Sequence, residues 1–91
     1  VIGLTKTAAL EYATKNIRVN TLCPGYINTP IMEKNGIVSA TAKFDALVDM
    51  HPVKRLGNVE EISGAVVFMC SDSASFMTGH SLLLDGGFTA R

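Results

Sequence analysis

The chain has 91 residues, which allows at most one domain with a small core. Hydrophobic residues make up 47% and charged residues 18%, an apolar excess that points to faces meant for burial against something else. Eight basic and eight acidic residues cancel without forming a basic stripe or a charged tail, so nucleic-acid binding has no electrostatic footprint.

The longest apolar runs are a few residues, far short of a membrane span, so no membrane partner is expected. No signal peptide is visible. The opening Val1-Ile2-Gly3-Leu4, without an initiator Met, reads as the middle of an element. Cys23 and Cys70 sit in apolar contexts without metal-ligand spacing and read as two buried thiols in a reducing compartment, the cytoplasm.

Residues 1 to about 14 read as a helix whose polar face is narrow, formed by Thr7, Glu11 and Thr14. The rest of its surface is apolar or small, so it is expected to be covered on more than one side. Glu11 and Lys15 can pair across one turn for only ~0.3 kcal/mol. Asn16 suits a left-handed stop. Ile17 to Cys23 reads as a strand with Ile17, Val19, Thr21 and Cys23 on one face and Arg18, Asn20 and Leu22 on the other. Pro24-Gly25 ends it, because Pro donates no backbone hydrogen bond and Gly permits a sharp turn.

Ser39 can cap a helix running to about Met50, with Ala40, Phe44, Leu47 and Val48 on one face and His51-Pro52 as its stop. Asn58, with Glu61 three positions on, forms a variant capping box for a helix carrying Ile62, Ala65, Val66 and Met69. Ser71-Asp72-Ser73 closes that helix. His80 to Leu84 reads as a short buried strand stopped by Asp85-Gly86-Gly87. The order is helix-strand-helix-helix-strand, and the segment between the strands is one crossover, expected to be right-handed with parallel strands.

Three stretches together resemble the classical branch of the short-chain dehydrogenase/reductase family. The first, residues 17–29 with Asn20 and Pro24-Gly25-Tyr26-Ile27-Asn28-Thr29, resembles the strand and loop bordering the nicotinamide site. The second, Arg55-Leu56-Gly57-Asn58-Val59-Glu60-Glu61-Ile62, resembles the start of the helix after the substrate loop. The third, Thr78-Gly79-His80-Ser81-Leu82-Leu83-Leu84-Asp85-Gly86-Gly87, resembles the last strand and its ending. Their order and spacing cover essentially the whole chain, 1–91, as the C-terminal segment of one Rossmann-like domain.

That resemblance implies an α/β fold, the C-terminal part of a doubly wound parallel sheet. It also implies an oxidoreductase that passes a hydride between NAD or NADP and a small alcohol or carbonyl substrate. The family's Tyr-x-x-x-Lys pair would lie just ahead of Val1, and its glycine-rich dinucleotide loop further upstream. Tyr12 and Tyr26 have no Lys four positions on, so no catalytic residue is assigned and the 91 residues alone are expected to be inactive. Pro24, Gly25, Tyr26, Ile27 and Thr29 match the cofactor-binding positions: the Ile27 amide and Thr29 hydroxyl would hold the carboxamide, and the others would wall the ring. The alternative is an ordinary turn with Thr29 capping a short helix.

Ile31, Met32 and Ile37 match the substrate lid, or else a surface loop. The first helix and the last strand match subunit contacts of a homodimer or homotetramer, or else intrachain packing. Asn20 is expected to satisfy neighbouring backbone groups. Asp85 is expected to turn the chain, and Arg55 to be a solvated side chain. His51 and His80 have no partner at ligand spacing, so no metal site is assigned. His80 stands where many relatives carry Gln.

Overall fold

A computed structural model describes residues 1–29, 34 and 42–90. Among the described residues, α1 (Ile2–Tyr12), β1 (Thr21–Pro24), α2 (Ala42–Met50), α3 (Val59–Met69) and β2 (Ser81–Leu84) follow one another. This is the expected helix-strand-helix-helix-strand order. β1 and β2 pair directly. Thr21 N–H donates to His80 C=O and Gly25 N–H to Leu84 C=O, each at 2.9 Å. Both partners advance together along the chain, which is the parallel register. The residues group into two compact units, Val1–Cys23 with Ser63–Leu83, and Pro24–Ile62 with Leu84–Arg91.

The first unit begins with α1, whose Ala8, Ala9, Leu10 and Glu11 are strong helix formers. Thr5 and Thr7 fit because their hydroxyls bond back to the Val1 and Gly3 carbonyls at 2.8 and 3.0 Å. The helix tightens into a 3₁₀ turn at Ala13–Lys15 and stops at Asn16, which adopts the expected left-handed conformation (φ 59°, ψ 35°). That tightening corrects the expected Glu11–Lys15 pair. Three residues per turn set Lys15 beside Tyr12, and its ammonium lies 5.6 Å from the ring centroid.

Only Thr5 and Ala9 of α1 are buried, while Leu4 and Leu10 are 75% and 81% exposed. The expected cover on more than one side is therefore not supplied by the described residues. Thr5 donates to Val1 and so accepts from the Thr21 hydroxyl of β1. Ala9 packs against Gly79, whose φ of +72° requires glycine in the turn entering β2.

β1 is shorter than the expected strand from Ile17. Over residues 18–20 the pairing is mixed: Gly79 N–H still donates to Val19 C=O at 2.8 Å, while side chains take two other amides. Thr78 Oγ1 accepts from Val19 N–H at 3.1 Å, and Asn20 Oδ1 accepts from His80 N–H at 3.1 Å. Asn20 Nδ2 also donates to Met77 C=O at 2.9 Å, the structural role expected of it. The strand alternation holds: Arg18, Asn20 and Leu22 line a groove with Val66, Met69 and Cys70, while Thr21 faces α1. Cys70 is exposed and Cys23 half-buried, so the expectation of two buried thiols fails. The groove at the end of α3 opens to solvent where Cys70 sits.

In the second unit Phe44, Leu47 and Val48 form the half-buried face of α2, as their spacing predicted. The predicted cap Ser39 and neighbour Ala40 lie outside the described residues. His51-Pro52 ends α2, and Lys54 adopts a left-handed φ of 59° in the turn that follows. Leu56 and His51 are the buried residues among those described in this unit. At the start of α3 the Glu61 carboxylate accepts from Asn58 N–H at 2.9 Å, which is the reciprocal half of a capping box. Among the described residues no helix is long and apolar enough to cross a membrane.

Candidate functional site

β1 runs out at Pro24, which has no N–H to extend the ladder. The chain then turns beside the end of β2. Gly25 is held there by its 2.9 Å bond to Leu84 and by close packing. A Cβ on Gly25 would lie 2.9 Å from Asp85 Cα and 3.4 Å from His51 Nε2. Only glycine fits without displacing backbone.

Ile27 forms an isolated parallel bridge with Gly57. Gly57 N–H donates to Tyr26 C=O at 3.1 Å and Asn28 N–H to Gly57 C=O at 2.9 Å. In that pattern the bonded groups belong to Ile27's neighbours, so the N–H of Ile27 itself points away from Gly57. It meets no acceptor among the described residues, and neither does the Thr29 hydroxyl. A Cβ on Gly57 would lie 2.6 Å from Ile27 Cδ1, the movable end of that side chain.

Behind the turn stand three rings. Tyr26 and His51 meet edge-on at 5.9 Å and 81°, Tyr26 and Phe88 at 6.3 Å, and His51 and Phe88 at 5.4 Å. His51 is 2% exposed and its Nδ1 lies 2.7 Å from Leu47 C=O. The predicted sites did not include His51, whose only sequence signal was its place before a helix-ending Pro.

The Asp85 carboxylate turns the chain, as expected. It accepts from Gly87 N–H at 3.1 Å, Thr89 N–H at 3.2 Å and the Thr89 hydroxyl at 2.6 Å. The hydroxyl bond leads in holding its pKa below the ordinary range. Arg55 corrects the expectation of a merely solvated side chain. Its two terminal nitrogens grip Glu61, in the first turn of α3, at 2.7 and 2.9 Å. The guanidinium hydrogen bonds, then the Asn58 amide, pull the Glu61 carboxyl to about 2, and the same pair raises Arg55. An exposed pair is worth little by itself, but its bidentate geometry pins the loop.

The structure thus brings Pro24, Gly25, Tyr26 and Ile27 together with His51, Asp85 and Gly86 around one turn. Thr29 follows, half-buried. Ile31, Met32 and Ile37 lie outside the described residues. No three His, Cys, Asp or Glu side chains converge among the described residues, and Asp85 is committed to Gly87 and Thr89.

Parallel strands joined by a helical crossover, with a Pro-Gly turn at their carboxyl ends, define the C-terminal end of a Rossmann-type sheet. That is the edge where such sheets bind ligands. A family profile described as enoyl-(acyl carrier protein) reductase matches residues 1–89. The chain belongs to the short-chain dehydrogenase/reductase family, whose C-terminal portion it represents.

It is 46% identical over 93 residues to a cyclohexanol dehydrogenase from Acinetobacter sp. strain SE19, covering all of this chain and 34% of that protein. Two solved structures each superpose with a TM-score of 0.90 over 99% of this chain and 36% of theirs. One is an Agrobacterium tumefaciens protein with bound NADP, named as a candidate 2-deoxy-D-gluconate 3-dehydrogenase, at 41% identity. The other is a 4-hydroxyisoleucine dehydrogenase complexed with NADH, at 36% identity. The chain spans about a third of the length of the relatives it matches.

Proposed function

We propose that this chain is the nicotinamide-side portion of an NAD(P)-dependent oxidoreductase that acts on a small alcohol or carbonyl compound in the cytoplasm. The observation that carries the reading is the turn. Ile27 N–H points away from its bridge partner, and the Thr29 hydroxyl stands two residues on without a described partner. Both would hydrogen-bond the carboxamide of a nicotinamide, and Pro24, Gly25 and Tyr26 would wall the ring. The cofactor, when bound, carries the hydride. What these residues contribute is orientation: two polar contacts fix which ring face is presented, and the glycine lets backbone approach a flat ring. Relatives solved with NADP and with NADH leave both cofactors in play. Ile31, Met32 and Ile37 would belong to the substrate lid.

Two experiments test this. The coding sequence upstream of Val1 should contain Tyr-x-x-x-Lys, and its absence there would defeat the enzyme reading. In the full-length product of the gene, Thr29→Ala should weaken NAD(P)H binding about tenfold, the size of one lost hydrogen bond in a desolvated site. Unchanged affinity would remove Thr29 from the site.

A second reading is a non-catalytic assembly module, favoured by the uncovered apolar residues of α1, among them Ile2, Leu4 and Leu10. Under either reading that face would meet another subunit in a homodimer or homotetramer. NADH titration separates the two: the 91 residues alone should not bind it tightly, and only an enzyme of greater length should.

A further inference from the structure

Gly57 joins two peptide groups, and each is held at both of its polar ends. In the peptide between Leu56 and Gly57, the N–H donates to Tyr26 C=O at 3.1 Å, while the C=O accepts from Arg55 Nη1 at 3.2 Å. In the peptide between Gly57 and Asn58, the C=O accepts from Asn28 N–H at 2.9 Å, while the N–H donates to Glu61 Oε1 at 2.9 Å. Arg55 Nη1 and Glu61 Oε1 are themselves bonded at 2.7 Å, and Nη2 and Oε2 close a second arm at 2.9 Å. The ion pair thus takes one end of each peptide, and the backbone on either side of Ile27 takes the other. Two hydrogens on Nη1 serve Leu56 and Glu61, and two lone pairs on Oε1 serve Arg55 and Asn58, so every bond in this chain can be made at once.

We infer that Arg55 and Glu61 are positioning residues for the nicotinamide contact: they clamp the two peptides of Gly57, and those peptides set the direction of the Ile27 N–H. The inference rests on the cofactor role proposed above for Ile27. Ile27 and Gly57 form a parallel bridge, so the bonds at Tyr26 and Asn28 fix the plane in which Ile27 N–H points away. Glycine has the freest backbone of any residue, so each peptide can tilt once its far end is released. A tilt would loosen the Tyr26 and Asn28 bonds and swing the Ile27 amide off the carboxamide. Arginine suits the task because its planar fork reaches two carboxylate oxygens and a carbonyl together, which a lysine ammonium cannot match in geometry. The Glu61 carboxyl, held at about 2, stays charged at neutral pH, so the clamp is closed there.

The test uses the full-length product of the gene and two probes, NAD(P)H and the matching ADP-ribose, which lacks the nicotinamide. The ratio of the two affinities isolates the nicotinamide contacts. Arg55→Ala should lower that ratio about fivefold, as for one weakened hydrogen bond, and leave ADP-ribose binding within about twofold of the parent. In the cofactor-free protein the same substitution should speed exchange of the Asn28 amide about fivefold. Arg55→Lys, which keeps the charge without the fork, should fall between parent and Arg55→Ala. Asp49→Asn is the control: it breaks the 3.7 Å Lys54–Asp49 pair of the same unit and should leave the ratio unchanged. A merely structural ion pair would lower both affinities alike, and that result would overturn the inference. So would an Asp49→Asn variant that reproduces the drop. If Arg55→Ala fails to fold, Arg55→Lys decides, and a ratio equal to the parent's would overturn the inference. An unmoved Asn28 amide, with a normal preference for NAD(P)H in the parent, would defeat this inference alone. A parent that binds NAD(P)H no better than ADP-ribose would defeat the cofactor reading and this inference with it.

Discussion

Gly25→Ala is the sharpest perturbation of the turn. The new methyl carbon would sit 2.9 Å from Asp85 Cα, 3.1 Å from Asp85 Cβ and 3.4 Å from His51 Nε2. Carbon atoms pack comfortably at about 3.5–4.0 Å, so the turn must move away from Asp85 by roughly 0.6 Å or more. Asp85 cannot easily yield, since its carboxylate is bonded to Gly87 and Thr89 and the preceding residue, Leu84, receives the Gly25 N–H at 2.9 Å. Overpacking of this kind costs about 1–3 kcal/mol. Stretching the Gly25–Leu84 bond puts up to about 1 kcal/mol more at risk. Opposing this, alanine removes unfolded-state freedom worth about 0.4–1 kcal/mol.

The net expectation is a loss of about 1–3 kcal/mol, read as a lower urea midpoint in the full-length product of the gene. Gly64→Ala is the control. Gly64 lies within α3 with nothing within 4 Å of the added carbon, and should stabilise by about 0.5–1 kcal/mol. If Gly25→Ala is no worse than Gly64→Ala, the close approach of the turn to Asp85 is not real.

Acid should expose the Arg55–Glu61 pair. The folded Glu61 carboxyl titrates near 2 against an ordinary 4.5. Its folded pKa is depressed, so its contribution is full above about pH 4.5 and fades as pH falls toward 2. The melting temperatures of the parent and Glu61→Gln should differ at pH 6 and converge by about pH 2, following the linkage between protonation and folding. Parallel curves would refute the pairing. Asn20→Ala should cost about 1–3 kcal/mol, because it strands the His80 amide and leaves the Met77 carbonyl with only the longer 3.4 Å bond from Arg18. Denaturant unfolding checks it, and a neutral result would show that other groups replace both bonds. Asp85→Asn should speed amide exchange at Gly87 and Thr89, since a neutral amide accepts more weakly than a carboxylate. The 91 residues in isolation should aggregate or oligomerise, with α1 uncovered and a two-stranded sheet among the described residues. A cooperative, monomeric thermal transition would count against that.

Much of this protein was determined locally and could be read from residue order alone. Element order, the left-handed stop at Asn16, the Pro24-Gly25 ending of β1, the Glu61 half of the capping box and the bridging role of Asn20 each depend on neighbours in sequence or on one residue's chemistry. Family membership was legible for the same reason, since its three motifs are short and ordered. Tertiary contact decided the rest. β1 starts at Thr21 because the Thr78 and Asn20 side chains take the amides of Val19 and His80, leaving one backbone bond, Gly79 to Val19, ahead of it. Arg55 is paired because the start of α3 brings Glu61 within reach of its guanidinium, and Cys70 is exposed because the groove beside it is open. His51 carried no pattern in the chain. Its burial beside Gly25 and Asp85 joins residues 26 and 34 positions apart, and only closure of the chain could set a lone imidazole nitrogen against that turn.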